Sequence, residues 1–230
     1  MGRVMASLYD RLTSASEVAC LRQWRAELLA GLTGDVLEVG AGTGLNLPWY
    51  PPGLTRLVLS EPDPHMRRQL AAKRQPTDPA PWELSDASLD DLPFPADAFD
   101  TVVGTLVLCS VPRPAQALAE IHRVLKPGGR FVFLEHVAAE DRPRRLRWQR
   151  RVEPLWKRLA GGCHLTRRTA ETIVAAGFAI PDIKRESMRK AWPWSDRPSV
   201  AWQSKHECSV SAAGPPARDQ DHPHPGLGFL

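Results

Sequence analysis

Three glycines at alternate positions, Gly40, Gly42 and Gly44, directly follow the apolar run Asp35-Val-Leu-Glu-Val39. A strand that feeds such a turn lets the backbone bend sharply and approach a ligand that any Cβ would hold off. The helix that such a loop opens would present free N–H groups to an anionic end of the ligand. A dinucleotide site wants Gly-x-Gly-x-x-Gly, which requires glycine at 45, and that position holds Leu45. Glu38, two residues ahead of the first glycine, suits a cationic ligand and suits a pyrophosphate poorly.

Glu61 and Pro62 close a second apolar run, Arg56-Leu-Val-Leu-Ser60. An acid about twenty residues beyond a glycine loop is where α/β cofactor folds hold ribose hydroxyls, because a carboxylate accepts both hydrogen bonds. Asp86 and Ala87 follow a short third run, Trp82 to Leu84, where the carboxylate could take an adenine amino group. Thr105, late in the run Phe99 to Leu108, completes the expected cofactor set. His136 follows a fifth run, Arg130 to Glu135, and so stands at the carboxyl edge, where open α/β sheets bind ligands. It is the candidate general base, and a histidine bonded to a loop carbonyl is the competing reading.

The elements that must position these residues alternate. A helical pattern over Tyr9 to Leu32, with Val18, Leu21, Leu28, Leu29 and Leu32 on one face, precedes the first strand. Helices at Pro64 to Lys73 and Pro114 to Leu125 separate later strands, and Lys126-Pro-Gly-Gly129 breaks the second of them. The alternation predicts an α/β fold, a Rossmann-like doubly wound and mostly parallel sheet with helices on both faces. Beyond His136 the pattern reads as two basic amphipathic helices over Arg142 to Ala160 meeting at Pro154, a helix from Arg167 to Ala176, and weak strands at 180–183 and 199–202. The expected organisation is an N-terminal helical cap over 1–34, a main domain over 35–206 with a helical insertion at about 141–166, and a disordered tail over 207–230.

Composition bounds the alternatives. The 230 residues are 43% hydrophobic and 24% charged, ordinary for one globular domain, and a formal charge of +4 does not call for nucleic acid. Cys20, Cys109, Cys163 and Cys208 lie far apart without metal-ligand spacing, so no metal is expected. No signal peptide opens the sequence, and no run reaches the roughly 18–20 apolar residues of a membrane span. These features predict a cytoplasmic protein with free thiols.

The array Glu38-Val-Gly-Ala-Gly-Thr-Gly44, Glu61-Pro62, Asp86-Ala87, Leu92-Pro-Phe94, Phe99-Asp100 and Leu125-Lys-Pro-Gly-Gly129 resembles the class I S-adenosylmethionine-dependent methyltransferases related to ubiquinone and menaquinone C-methyltransferases, the type 11 group. The likeness spans about residues 9 to 180. Gly42-Thr-Gly-Leu-Asn46 with Tyr50-Pro51, Thr105 to Val111, Glu135-His-Val-Ala-Ala139, Trp148-Gln149 and Gly162-Cys-His-Leu-Thr-Arg167 are similar to the subgroup that includes alkyl thiol S-methyltransferases. Arg197 to Trp202 matches only loosely.

The resemblance implies S-adenosyl-L-methionine as cofactor and a small lipophilic acceptor: a thiol, a quinone-like ring or a secondary metabolite. The alternatives are a module that binds the cofactor without turnover, and an RNA or lipid methyltransferase. A thiol, with a pKa near ~8.5, ionises without strong assistance, whereas a carbon or hydroxyl acceptor needs a base. Cys109 reads as a small wall residue, since methyl transfer needs no covalent enzyme intermediate. Tyr9 and the N-terminal helix could close over the cofactor, and the 142–160 segment could roof the acceptor. That segment's arginines and apolar stripe suit either a core-packed helix with a solvated basic face or peripheral contact with an anionic membrane. Nucleic acid is the less favoured partner.

Overall fold

The computed structural model describes residues 10, 13–76, 78, 80–181, 183 and 207–210. Among these residues seven strands form one sheet: β1 (Asp35–Val39), β2 (Arg56–Ser60), β3 (Trp82–Ser85), β4 (Phe99–Thr105), β5 (Leu125–Leu134), β6 (Phe178–Ala179) and β7 (Glu207–Val210). Their spatial order is β3-β2-β1-β4-β5-β7-β6. The first five run parallel, with Leu37 level with Val58 on one side and Val102 on the other. β7 is antiparallel to both β5 and β6. The chain reverses its direction of travel across the sheet between β1 and β4. Such a switch point opens a crevice at the carboxyl ends of its two strands.

Alternation along each strand divides the core into two layers. Val36, Leu57, Leu59, Val103, Val132 and Leu134 face one layer, with Leu21, Trp24, Leu28 and Leu29 of the N-terminal segment. Leu37, Val58, Val102, Phe131 and Phe133 face the other, under Leu118, Ile121 and Ile173. The helices are α1 (Arg22–Leu29), α2 (Pro64–Ala72), α3 (Pro114–Val124), α4 (Pro143–Leu159) and α5 (Thr169–Ala175). Asp63 caps α2 by accepting from the N–H groups of His65 and Met66.

Several expectations need correction. Val18 is 68% exposed, because the wide helical turn Glu17–Leu21 that leads into α1 shifts the phase of the face. β4 ends at Thr105 rather than Leu108, since Leu106 takes a left-handed φ of 57° and turns the chain. β5 begins at Leu125, so Lys126-Pro-Gly-Gly129 lies within it, at an irregularity in its pairing with β4. The segment 142–160 is one helix, not two: Pro154 stands exposed within α4, and the helix continues past the one backbone bond that a proline cannot donate. The sixth strand is Phe178–Ala179 rather than 180–183. Glu207–Val210, placed by sequence in a disordered tail, instead pairs as β7. Tyr9, the weak strand at 199–202 and the rest of the tail lie outside the described residues.

Candidate active site

The glycine loop closes the carboxyl end of β1. Gly40 takes φ 64°, and a Cβ there would stand 2.5 Å from Val107 Cγ2, so the loop packs directly against the turn after β4. Gly44 lies under Leu70 and Leu47. Gly42 differs: at φ 58° an added Cβ would meet, among the described residues, only Met66 Sδ, at 4.0 Å. Among those residues the space above Gly42 is open at the distance where a ligand would approach the backbone. Glu61 sets the loop's position, since one carboxylate oxygen accepts from Gly42 N–H (2.8 Å) and the other from Asp63 N–H (2.8 Å). Burial pushes the Glu61 carboxyl above its ordinary range, and those two N–H groups oppose the rise. Pro62 is exposed beside it, and its carbonyl accepts from Arg67.

Beneath the loop lies a buried polar network. Glu38 accepts from Asn46 Nδ2 (2.7 Å) and from the Tyr50 hydroxyl (2.6 Å). Arg25 of α1 donates to Asn46 Oδ1 (2.8 Å), Thr105 Oγ1 (3.1 Å) and the Glu17 carboxylate (3.0 Å). Thr105 also accepts from Asn46 Nδ2. All are buried, so the network sets two carboxylates against a single guanidinium away from water. Burial lifts the Glu38 carboxyl to about 7, against the pull of Tyr50, Asn46 and Arg25. A cation lodged beside this network would neutralise the excess and return Glu38 to its charged form.

The third-strand end supplies the remaining predicted residues. Asp86 is exposed, on an open cleft shared with Ser85, Arg67 and Phe94. Ala87 is buried, and its carbonyl accepts from Ser60 Oγ (2.7 Å), which ties this loop to the end of β2.

At the carboxyl edge of β4 and β5, Glu135 is fully buried and accepts from the N–H groups of Val107, Leu108 and Cys109 at 2.8, 2.6 and 3.0 Å. This clamp fixes the turn that carries Cys109. Burial raises the Glu135 carboxyl well above its usual range, against those three donors. His136, next along the chain, is also buried and turns Nδ1 toward Cys163 Sγ (3.1 Å) and Cys109 Sγ (3.8 Å). The two sulfurs are 3.5 Å apart, within hydrogen-bond reach of each other. Proton sharing splits the two thiols, raising Cys109 and lowering Cys163. Leu165, Val152, Trp156 and Ala160 cover the cluster. α4 is docked here by Gln149, which accepts from Ala139 N–H and donates to the Val137 carbonyl. His136 is therefore not bonded to a loop carbonyl through Nδ1; that atom faces sulfur.

A model of the methyltransferase domain matches residues 37–133. Human thiol S-methyltransferase TMT1A is 40% identical over 167 residues, 71% of this chain and 68% of that protein. Human TMT1B is 39% identical over 168 residues, covering 71% and 68%. The chain belongs to the class I S-adenosylmethionine-dependent methyltransferases. This methyltransferase spans about two thirds of the length of the curated relatives it matches, the share being 63% for thiol S-methyltransferase TMT1B of Rattus norvegicus, at 40% identity. A demethylmenaquinone methyltransferase of Lactiplantibacillus plantarum is 33% identical over 163 residues, covering 66% of this chain and 65% of that one. Among solved structures, a methyltransferase from Thermotoga maritima superposes with TM-score 0.63 at 16% identity, over 91% of this chain and 98% of its own, which bears on the fold alone. The cofactor of the family is S-adenosylmethionine, and the open space over Gly42 beside an anionic network fits its cationic sulfonium. Among the described residues no helix of the methyltransferase is long and apolar enough to cross a membrane.

The sequence reading missed Glu17 and Arg25. Their signal was an acid and a base on the buried face of the N-terminal helix, eight residues apart. It also kept Cys163 apart from Cys109 and His136, which the fold brings together.

Proposed function

We propose that this methyltransferase transfers the methyl group of S-adenosylmethionine to a small lipophilic acceptor, a thiol before any other. The observation that carries the reading is the open face of the glycine loop at Gly42, with the apolar cluster of Cys109, Cys163 and Leu165 packed at the carboxyl edge of β4 and β5 beyond the Gly40–Val107 contact. Apolar surroundings at this edge suit an uncharged lipophilic acceptor, whereas a hydrated polar one would lose water without gaining partners. The names of the mammalian relatives support the same class.

In this reading Gly40, Gly42 and Gly44 let the backbone reach the methionine part, and Glu38 with Thr105 supplies the negative surroundings. Glu61 holds the ribose: a carboxylate offers about four acceptor sites, and the two backbone bonds leave others free. Pro62, Asp86 and Ala87 border the base. The cofactor supplies a methyl on a sulfonium, a good leaving group. The protein's residues position the acceptor, exclude water and ease loss of its proton. His136 is the group at this edge that assists that loss. The N-terminal segment 1–34 caps the cofactor, supported by the reach of Arg25 into the network, and the insertion at about 141–166 roofs the acceptor.

α4 also supports peripheral contact with an anionic membrane, through exposed Trp148, Leu155 and Leu159 beside exposed Arg144, Arg147 and Arg151. Cys109 and Cys163, which form no disulfide although their sulfurs are 3.5 Å apart, support a reducing, cytoplasmic setting. The test of the acceptor class is a panel of aliphatic thiols, phenols, quinols and lipid amines incubated with methyl-labelled cofactor. Label should appear on the aliphatic thiols first. Label confined to phenols, quinols or amines would overturn the assignment.

A further inference from the structure

Cys109, His136 and Cys163 come from three separate parts of the chain: the turn after β4, the residue after Glu135, and the loop after α4. Their Sγ, Nδ1 and Sγ atoms nonetheless face one another, all within 4.8 Å. A tetrahedral zinc ion with Zn–S of about 2.3 Å and Zn–N of about 2.0–2.1 Å requires S···S near 3.8 Å and N···S near 3.5 Å along one face. The observed edges are 3.5 Å between the sulfurs and 3.1 and 3.8 Å from the nitrogen. A shift of a few tenths of an ångström in each side chain would seat the ion.

A second observation concerns the support of the ligands. Glu135 is fully buried beside the cluster and accepts from the N–H groups of Val107, Leu108 and Cys109. The Glu135 clamp in turn fixes the main chain of the ligand Cys109, the outer support that metal ligands commonly have. Val152, Trp156, Ala160 and Leu165 pack over the cluster from the α4 side. Trp156 Nε1 is buried with no partner at full hydrogen-bond geometry among the described residues, and it acts on Cys163 to lower that thiol, so its N–H is available to a metal-bound sulfur.

We propose that Cys109, His136 and Cys163 form a three-ligand site for a thiophilic divalent cation of the zinc class, whose fourth position receives the acceptor thiol. Two sulfurs and an imidazole select such an ion over magnesium or calcium, which prefer oxygen. Three protein ligands with an open position are the arrangement of catalytic rather than structural zinc. This rests on the thiol reading above and gives the assistance of His136 its form: a ligand, not a free base. On binding, the acceptor's S–H bond breaks, its proton passes to solvent, and the sulfur donates an electron pair to the cation. The acceptor is then held as a thiolate at neutral pH, with no redox change.

The test uses the full chain, reduced, freed of metal with a chelator and titrated with Co2+. One cobalt per chain should bind, with the thiolate charge-transfer and ligand-field absorption of a tetrahedral site. Cys109→Ser, Cys163→Ser and His136→Gln should each lose stoichiometric binding, while Cys20→Ser keeps it. Calorimetric binding of S-adenosylhomocysteine verifies that each variant is folded. Adding an aliphatic thiol should shift the cobalt spectrum. The site is refuted by a folded, reduced protein that binds no cobalt, by binding that survives Cys109→Ser and Cys163→Ser, or by a Cys109–Cys163 disulfide that forms equally with metal present. If the chelated protein methylates thiols at the full rate, the metal inference fails and the thiol reading stands. If cobalt binds as expected but neither the metal-loaded nor the chelated protein methylates any thiol, and added thiol leaves the spectrum unchanged, the thiol reading and the acceptor role of the fourth position fail together.

Discussion

Cofactor affinity should depend on pH through Glu38. Its carboxyl is lifted from 4.5 to about 7 by burial, in contact with Tyr50 and Asn46, and it feels Arg25 from α1 and Glu61 from the end of β2. A cationic ligand beside it favours the ionised form. If only that form binds well, about a tenth of the protein is competent at pH 6 and about nine tenths at pH 8. The dissociation constant for S-adenosylmethionine should therefore fall about tenfold between those values, or ~1.4 kcal/mol. The sign is fixed: affinity rises with pH, and binding near pH 6 releases a proton. Calorimetry in buffers of differing ionisation enthalpy measures both effects. Glu38→Gln should bind more weakly at pH 8 and show a nearly flat profile. A wild-type profile that is flat, or that tightens toward pH 6, would refute the reasoning. A slope that persists in Glu38→Gln would move the titrating group elsewhere, to Glu61 first.

Glu61→Ala should destabilise the fold by about 1–3 kcal/mol, because the N–H groups of Gly42 and Asp63 lose their acceptor, and should weaken cofactor binding about tenfold or more. Denaturant melts and calorimetry read the two effects, and unchanged affinity would place the ribose elsewhere. Arg25→Met should cost about 3–5 kcal/mol, since Glu17 is left buried without its partner. A loss below 1 kcal/mol in a urea melt would mean that the network relaxes without it. Full-length protein should sediment with anionic vesicles at low salt and much less with neutral ones, and Leu155→Asp should reduce the anionic fraction. Equal partition into both vesicle types would remove the membrane reading of α4.

The parallel sheet was legible because strands buried on both faces read as short apolar runs between glycine-rich or proline-rich breaks. The glycine loop and Glu61 were legible for a related reason. A backbone approached by a ligand and a carboxylate at a strand end leave local marks in the chain. What escaped was set by tertiary contact. The wide turn at Glu17–Leu21 changed which residues faced inward, exposing Val18 and burying Glu17 and Arg25. Glu135 read as the last residue of a strand, yet its work is to hold the turn bearing Cys109. Cys109 and Cys163 are 54 residues apart and carry no metal-ligand spacing, so only the packing of α4 over the sheet edge brings their sulfurs together. β7 escaped for a similar reason, since its partners β5 and β6 both precede it and its composition matches that of the tail.

The most direct measurement is a calorimetric titration of S-adenosylmethionine, with NAD as comparison, into wild-type protein and Gly42→Val. Wild type should take up one S-adenosylmethionine and ignore NAD. In the variant the valine side chain would fill the free space above the loop on a φ of 58°, and uptake should vanish. Wild-type affinity retained by the folded Gly42→Val protein, or binding of NAD in place of S-adenosylmethionine, would contradict the account.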